Sequence, residues 1–446
     1  MFRERSLTTA SLFLIGTLIA QGSSALEYSY TIFSSAQQSD NITQLSQRQI
    51  SVAADGEQKG TILNTGIQFG LGSEQSLALK GNLSGNISRT FYSIEELDPQ
   101  TNKSLVASFQ YEPRTSNFRL SGYNSIQQVP VDRTNNQTVN NIADISVYAI
   151  VPSYFIKVSA TSELLTDFTY TKVDDEQTRN SREVKSTSLA YVHQLNSILS
   201  GSLNAVRTNT LFLNSDIEFD QDFLFFRLEK EKGITQFVFD IGSQKIVDTD
   251  LDSIVAYSLS LSRRASANSK LVLSYSQGYS DPLETDVSNN VNQLGSSDQV
   301  AFVNGLVKEK GVSADFNYNV RYFEWQFKVF GGSLESEDLI GNPGTNEKHS
   351  GSALSGSYRF YSRKNDALSY GLSGGVGYEK KEFIDLGLEN TVKSANVRLN
   401  YFATQHLTAF FEILSRNADG SGPESNLDEH RVSIGFEWTP RGRLEF

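Results

Sequence analysis

The chain has 446 residues, with 28 Phe, 19 Tyr, no cysteine, 38% hydrophobic residues and a formal charge of −12. The missing cysteine excludes disulfides and thiolate metal ligation, and the acidic balance argues against a nucleic-acid partner, whose phosphates need Lys and Arg. Modest hydrophobicity with many aromatics suits a barrel wall that is apolar outside and polar inside.

Residues 1–25 carry basic Arg3 and Arg5, an apolar stretch from Leu12 to Ala20, and small Ser23 and Ala25. This pattern predicts a secretory signal peptide cleaved after Ala25, because the apolar run is too short to span a bilayer. Residues 26–59 are polar and weakly patterned, and read as a periplasmic N-terminal segment or a first strand. From residue 60 to 446, period-two alternation dominates and predicts a transmembrane β-barrel.

The alternation is explicit along the chain. Leu77, Leu79 and Leu83 share one parity, and Leu105, Ala107, Phe109 and Tyr111 face away from Ser108 and Gln110. Ala143, Ile145, Val147, Ala149 and Val151 form a predicted apolar face that ends at Pro152, followed by Tyr154, Ile156 and Val158. Leu224, Phe226 and Leu228 precede a turn near Gly233, then Phe237, Phe239 and Ile241. Val255 to Leu261 and Leu271 to Tyr275 repeat the device.

Residues 312–329 show it most clearly. Val312, Ala314, Phe316, Tyr318 and Val320 alternate with polar residues; Phe323, Trp325, Phe327 and Val329 do the same directly afterwards. Ala395 to Tyr401, then Leu407 to Ile413, form another such pair. A helix would scatter these charges around its axis, whereas a strand separates the two faces completely. Many stretches approach the roughly 9–11 residues that cross hydrocarbon at a tilt.

Polar segments at 125–140, 173–183, 281–299, 332–349 and 415–428 read as longer loops between the hairpins. The count beyond residue 60 is 20 or 21 strands. Three apparent strands lie between the loops at 281 and 332, where up-and-down topology demands an even number, so 16 to 20 strands are expected overall. The fold class is therefore all-β, a transmembrane antiparallel β-barrel. A soluble multi-domain sandwich is the alternative that shares the alternation.

The final face, Val432, Ile434, Phe436 and Trp438, continues in parity through Pro440 and Gly442 to Phe446. A chain ending in Phe after an amphipathic strand resembles bacterial outer-membrane proteins. The resemblance implies that Phe446 is an assembly signal read by the barrel-assembly machinery, with outer-membrane lipids around the wall.

Polar wall residues are the candidate functional groups. Asp315 and Arg321 share the inward parity of one strand, Glu324, Gln326 and Lys328 that of the next, and Arg398, His406 and Glu412 extend the set. Mixed charges along a lumen create transverse fields that discriminate among hydrated solutes; the same charges can equally pair to fill a closed interior. Loop acids Asp281, Glu284, Asp286, Glu335, Glu337 and Asp338 lack compact calcium-loop spacing and read as solvated.

No cofactor and no reaction are expected. The imidazoles are His193, His349, His406 and His430, and no G-x-S-x-G, H-E-x-x-H or phosphate-loop motif occurs.

Near the start, Ser39-Asp40-Asn41-Ile42-Thr43 follows the strand-like Tyr28–Phe33 stretch. This resembles β-barrel porin families found beside exopolysaccharide and exosortase (PEP-CTERM) gene clusters, whose members carry an Asp-Asn-hydrophobic signature after the first strand. The resemblance implies a porin-like conduit associated with exopolysaccharide export, with surface polysaccharide and envelope secretion components as partners. A non-conducting scaffold or polysaccharide-binding protein is the second reading.

Overall fold

The computed structural model describes residues 25–41, 59–73, 78–93, 99–113, 116–130, 142–175, 181–214, 217–247, 253–280, 307–336, 346–361, 368–420 and 427–445. Residues 1–24 of the predicted leader, Ile42, Phe446 and the loop acids other than Glu335 lie outside these residues.

Period-two alternation becomes wall strands throughout. The first quarter comprises β1 (Ala25–Ser39), β2 (Gly60–Ser73), β3 (Leu79–Tyr92), β4 (Gln100–Tyr111) and β5 (Phe118–Pro130). Then come β6 (Ile142–Lys157), β7 (Ser162–Asp175), β8 (Arg182–Asn196), β9 (Leu199–Phe212) and β10 (Ile217–Lys232). The second half opens with β11 (Thr235–Val247), β12 (Ile254–Ser266), β13 (Ser269–Ser280), β14 (Val307–Val320) and β15 (Phe323–Ser336). It closes with β16 (Glu347–Tyr361), β17 (Leu368–Phe383), β18 (Leu388–Phe402), β19 (Leu407–Gly420), β20 (Leu427–Trp438) and β21 (Arg441–Glu445).

Each strand from β1 to β19 pairs antiparallel with its successor, and β1 pairs with both β20 and β21, which closes the wall. The register is unbroken across the gap: Ile32 faces Trp438 and Ser29 faces Arg441. Pro440, which has no N–H to give the ladder, therefore splits one stave into β20 and β21, and the barrel has 20 staves. That even number brings Ala25 and Glu445 together at one rim. The same rim holds two-residue turns at 197–198, 233–234, 267–268 and 321–322. Gly233 occupies φ 57° there, the left-handed region that a residue with a Cβ adopts at a cost. The longest connections, after β1, β5, β13 and β15, lie at the other rim, the arrangement of a bacterial outer-membrane barrel.

The two faces of the closed wall differ as hydrocarbon requires. The outer face carries the large exposed apolar side chains, including Val312 at 56% and Ile434 at 64% exposure. Aromatics cluster toward the short-turn rim: Trp325 packs 5.1 Å from Phe316, Tyr370 lies 5.3 Å from Tyr401, and Tyr30 meets Trp438 edge-on at 5.8 Å. Such rings suit the headgroup boundary. Toward the long-connection rim the outer face turns charged, with Lys308 paired to Glu335 at 3.0 Å and Lys380 to Glu382 at 2.8 Å. Strands of 12 to 16 residues in most staves exceed the length hydrocarbon needs, so the wall extends past the apolar band. The chain is a bacterial outer-membrane β-barrel.

Several expectations are corrected by the pairing. Of the two readings of residues 26–59 the first strand is the one formed, so the wall includes β1 as well as the residues from 60 onward, because β1 is bonded on both sides. Only β14 and β15 lie between the long connections at 281–306 and 337–346, which removes the odd strand from that interval. Residues 142–157 form one strand, β6, that runs through Pro152. Its pairing to β5 is continuous, while its ladder to β7 skips from Ile150 to Ser153, the gap that a missing N–H leaves. Its outer face is Tyr148, Ile150, Tyr154 and Ile156, all exposed, and the predicted apolar face of Ile145, Val147 and Ala149 points inward instead, buried with Tyr123 and Val173. Both parities of β6 are apolar, and the aromatic one takes the lipid.

Asp40 and Asn41 close the seam beyond β1. The Asp40 carboxylate accepts the His430 N–H at 2.7 Å, the Asp40 N–H donates to the His430 carbonyl at 3.3 Å, and Asn41 Nδ2 donates to the Asp428 carbonyl at 3.2 Å.

Because Ile434 faces lipid and Asn396 faces inward, the same charge has opposite consequences at the two positions. Ile434→Lys is expected to cost about 2–4 kcal/mol of folding free energy in vesicles, and Asn396→Lys well under half of that, by urea titration of the refolded barrel.

Candidate functional site: the barrel lumen

The inner face is built mainly from small polar residues, and three of its charged clusters bear on the predicted site. On β14 and β15, Asp315 accepts hydrogen bonds from Asn317 Nδ2 at 2.5 Å and Gln326 Nε2 at 2.8 Å. Lys328 stands directly opposite Asp315 in register, yet its ammonium lies over the Phe330 ring at 5.9 Å. Glu324, opposite Asn319, is exposed near the short-turn rim.

The second cluster lies beside the seam. Arg398 on β18 donates to Glu437 at 2.5 Å and to Asn400 at 2.9 Å, and its guanidinium lies 4.0 Å from the centre of the Phe410 ring. Phe410 can lie flat on the wall because its cross-strand partner is Gly435, where an added Cβ would come within 2.6 Å of the ring. Glu412 faces Arg398 in register, but the ion pair goes to Glu437 instead. Nearer the long-connection rim, Arg431 pairs with Glu429, which is 1% exposed, and also donates to Gln37 at 3.3 Å.

The third cluster was not foreseen. Arg227 on β10 forms a two-pronged pair with Asp240 on β11, at 2.7 and 3.1 Å, and Ser258 donates to the same carboxylate at 2.8 Å. Its signal in the sequence was masked, because Phe223 and Phe225 share the inner parity of β10 and make both faces apolar.

Asp315, Glu324, Gln326, Lys328, Arg398 and Glu412 thus occupy the parity opposite the apolar band. Arg321 and His406 do not stand in the wall. Arg321 sits in the two-residue turn after β14, its guanidinium 5.1 Å from the Tyr322 ring. His406 ends the turn before β19, exposed, with Nδ1 3.2 Å from the Thr439 carbonyl. Each strand stops one residue short of the parity extrapolated through it. Of the loop acids, Glu335 is described, and it faces outward between Lys308 and Lys310.

The two mouths differ. At the long-connection end, inner residues from every side of the barrel are buried, among them Ser39, Ile62, Val184, Ile246, Phe383 and Glu429. At the short-turn end, inner residues Lys157, Gln194, Arg264, Lys270 and Arg359 are exposed. The inner wall is thus exposed at the short-turn end and buried at the long-connection end. Among the described residues no group of three or more His, Asp or Glu is placed to hold a metal ion.

The chain matches no family model and no curated protein. Solved structures similar to it include Pseudomonas aeruginosa OccK5 (OpdH), at 12% identity and TM-score 0.36, covering 94% of this chain and 99% of that one. Acinetobacter baumannii OccAB3 follows at 10% identity and TM-score 0.39, covering 93% and 99%. The siderophore receptor PirA of P. aeruginosa reaches 10% identity and TM-score 0.44, covering 93% and 80%. Likeness at this level carries no information on cargo.

The Arg227–Asp240 pair is open to the lumen water, with side-chain exposures of 45% and 13%. A double-mutant cycle with Arg227→Ala and Asp240→Ala is expected to give a coupling of about 1 kcal/mol or less in urea unfolding.

Proposed function

We propose that this barrel is a porin-like conduit whose passage is limited at its long-connection mouth. The observation that supports it is the inner wall: small polar residues and partly exposed ion pairs suit a water-filled lumen. Asp315, Lys328, Arg398 and Glu437 present both signs to that water, so passing solutes experience a transverse field rather than a barrier of one sign. No reaction forms part of the proposal.

The buried ring at the long-connection mouth favours a second reading, a non-conducting scaffold or polymer-binding protein. The association with surface polysaccharide rests on the resemblance of Asp40, Asn41 and Ile42 to the exopolysaccharide-linked porins. The seam-locking role of Asp40 and Asn41 supplies a purely structural reason for the same residues, which leaves cargo to experiment.

Single-channel recording of the refolded protein in planar bilayers separates the readings. A conduit shows discrete steps, and Arg398→Ala, which leaves Glu437 and Glu412 without that cation, shifts the zero-current potential in a salt gradient toward cation selectivity. A barrel that inserts yet shows no steps is a scaffold.

A further inference from the structure

At the short-turn rim the charges are unevenly spread. From β12 to β16 the rim carries Arg264 on β12, Lys270 on β13, Arg321 in the turn after β14 and Arg359 on β16, all exposed. The whole chain has a formal charge of −12, so this basic sector runs against its balance. Arg264 stands directly opposite Lys270 in register, both on the inner parity. Backbone bonds carry the sector round the rim. The Asn319 N–H donates to the Asn268 carbonyl at 2.7 Å, and the Arg359 N–H to the Tyr322 carbonyl at 2.8 Å. The turn that holds Arg321 is thereby fixed between the β12–β13 turn and Arg359.

Like charges directly opposite one another destabilise a sheet. Among the described residues, however, Arg264, Lys270, Arg321 and Arg359 form no ion pair, and Arg321 lies 5.1 Å from the centre of the Tyr322 ring. The rim of this sector has one described carboxylate, Glu324, on the inner parity of β15 opposite Asn319. Asp315 lies one inner row deeper, where Asn317 and Gln326 donate to it at 2.5 and 2.8 Å and Lys328 stands opposite. On one flank Glu229 and Glu231 share the inner parity of β10, and Glu229 accepts from Gln236 at 3.3 Å. On the other flank β17 offers only Gly371 and Ser373. The sector is therefore four cations against one carboxylate, bounded by acids on one side and by uncharged wall on the other.

We propose that this sector of the mouth binds a polyanionic solute from the periplasmic side, its phosphate or carboxylate groups bridging Arg264, Lys270, Arg321 and Arg359. Inner parity separates this site from the membrane: Arg264, Lys270 and Arg359 stand on the lumen face, where a lipid headgroup at the outer wall does not meet them. A field of one sign in a cleft with low-dielectric walls concentrates counter-ions. Guanidinium forks take phosphate and carboxylate oxygens two at a time. A bridging anion also relieves the repulsion between Arg264 and Lys270. The side follows from the topology, because short turns mark the periplasmic end of such a barrel. Binding at the mouth does not require passage, so the site is independent of whether the lumen conducts.

The test is isothermal titration of the intact barrel, refolded in uncharged detergent, with inositol hexakisphosphate, hexagalacturonate and neutral maltohexaose. At least one polyanion is expected to bind and maltohexaose is not; the tighter polyanion identifies phosphate or carboxylate as the preferred group. The triple variant Arg264→Ala, Lys270→Ala, Arg359→Ala is expected to weaken that binding about tenfold or more. The triple variant Lys230→Ala, Lys232→Ala, Arg263→Ala removes the same charge from the outer parity of the same rim and is expected to bind as wild type. Glu324→Gln, which removes the opposing carboxylate, is expected to tighten binding. Heat-modifiable gel mobility reports folding for every variant. Binding of neither polyanion, equal binding of maltohexaose, or an equal loss in the two triple variants overturns the proposal.

Discussion

Every backbone N–H and C=O inside hydrocarbon needs a partner, and leaving one unpaired costs several kcal/mol. An open sheet edge of more than ten residues is therefore not an option in a membrane. The closure between β1 and the β20–β21 stave meets this constraint, and the rest of the structure follows from it. The seam continues past a proline that removes one donor, and past the end of β1 through Asp40 and Asn41. Once the wall is closed, period two assigns each side chain to lipid or to lumen with nothing between.

Inside, the same constraint relaxes, and polar groups arrange themselves by contact with one another. Half-exposed ion pairs contribute little to stability, so their effect is positional. Gly435 lets Phe410 lie on the wall, Phe410 seats Arg398, and Arg398 reaches Glu437 rather than the nearer-seeming Glu412. The charges are thereby held against the wall, away from the axis. The inner wall is buried at the long-connection end and exposed at the short-turn end.

Much of this was legible in the sequence because alternation is a local signal. The outer faces of β12 to β15 and β18 to β20 could be read residue by residue, since most of their inner positions are polar. Where both parities are apolar the signal vanishes. That reversed the face of β6 and hid Arg227 and Asp240 behind Phe223 and Phe225. The first strand was diluted by the polar run from Ser34 to Ser39, whose pairing with β2 and β20 is a long-range fact. Arg321 and His406 were placed in the wall because parity does not say where a strand stops.

The claim on which everything rests is the registered seam between the first and last staves. The chain has no cysteine, so paired cysteines report it without background. Ala36→Cys with Ile434→Cys places the two thiols directly across the seam, whereas Ala36→Cys with Trp438→Cys sets them two outward positions out of register. In membranes, oxidation is expected to cross-link the first pair within a single chain and to leave the second largely uncross-linked. Failure of the first pair to cross-link within one chain, or equal cross-linking of both, would contradict a closed barrel in this register.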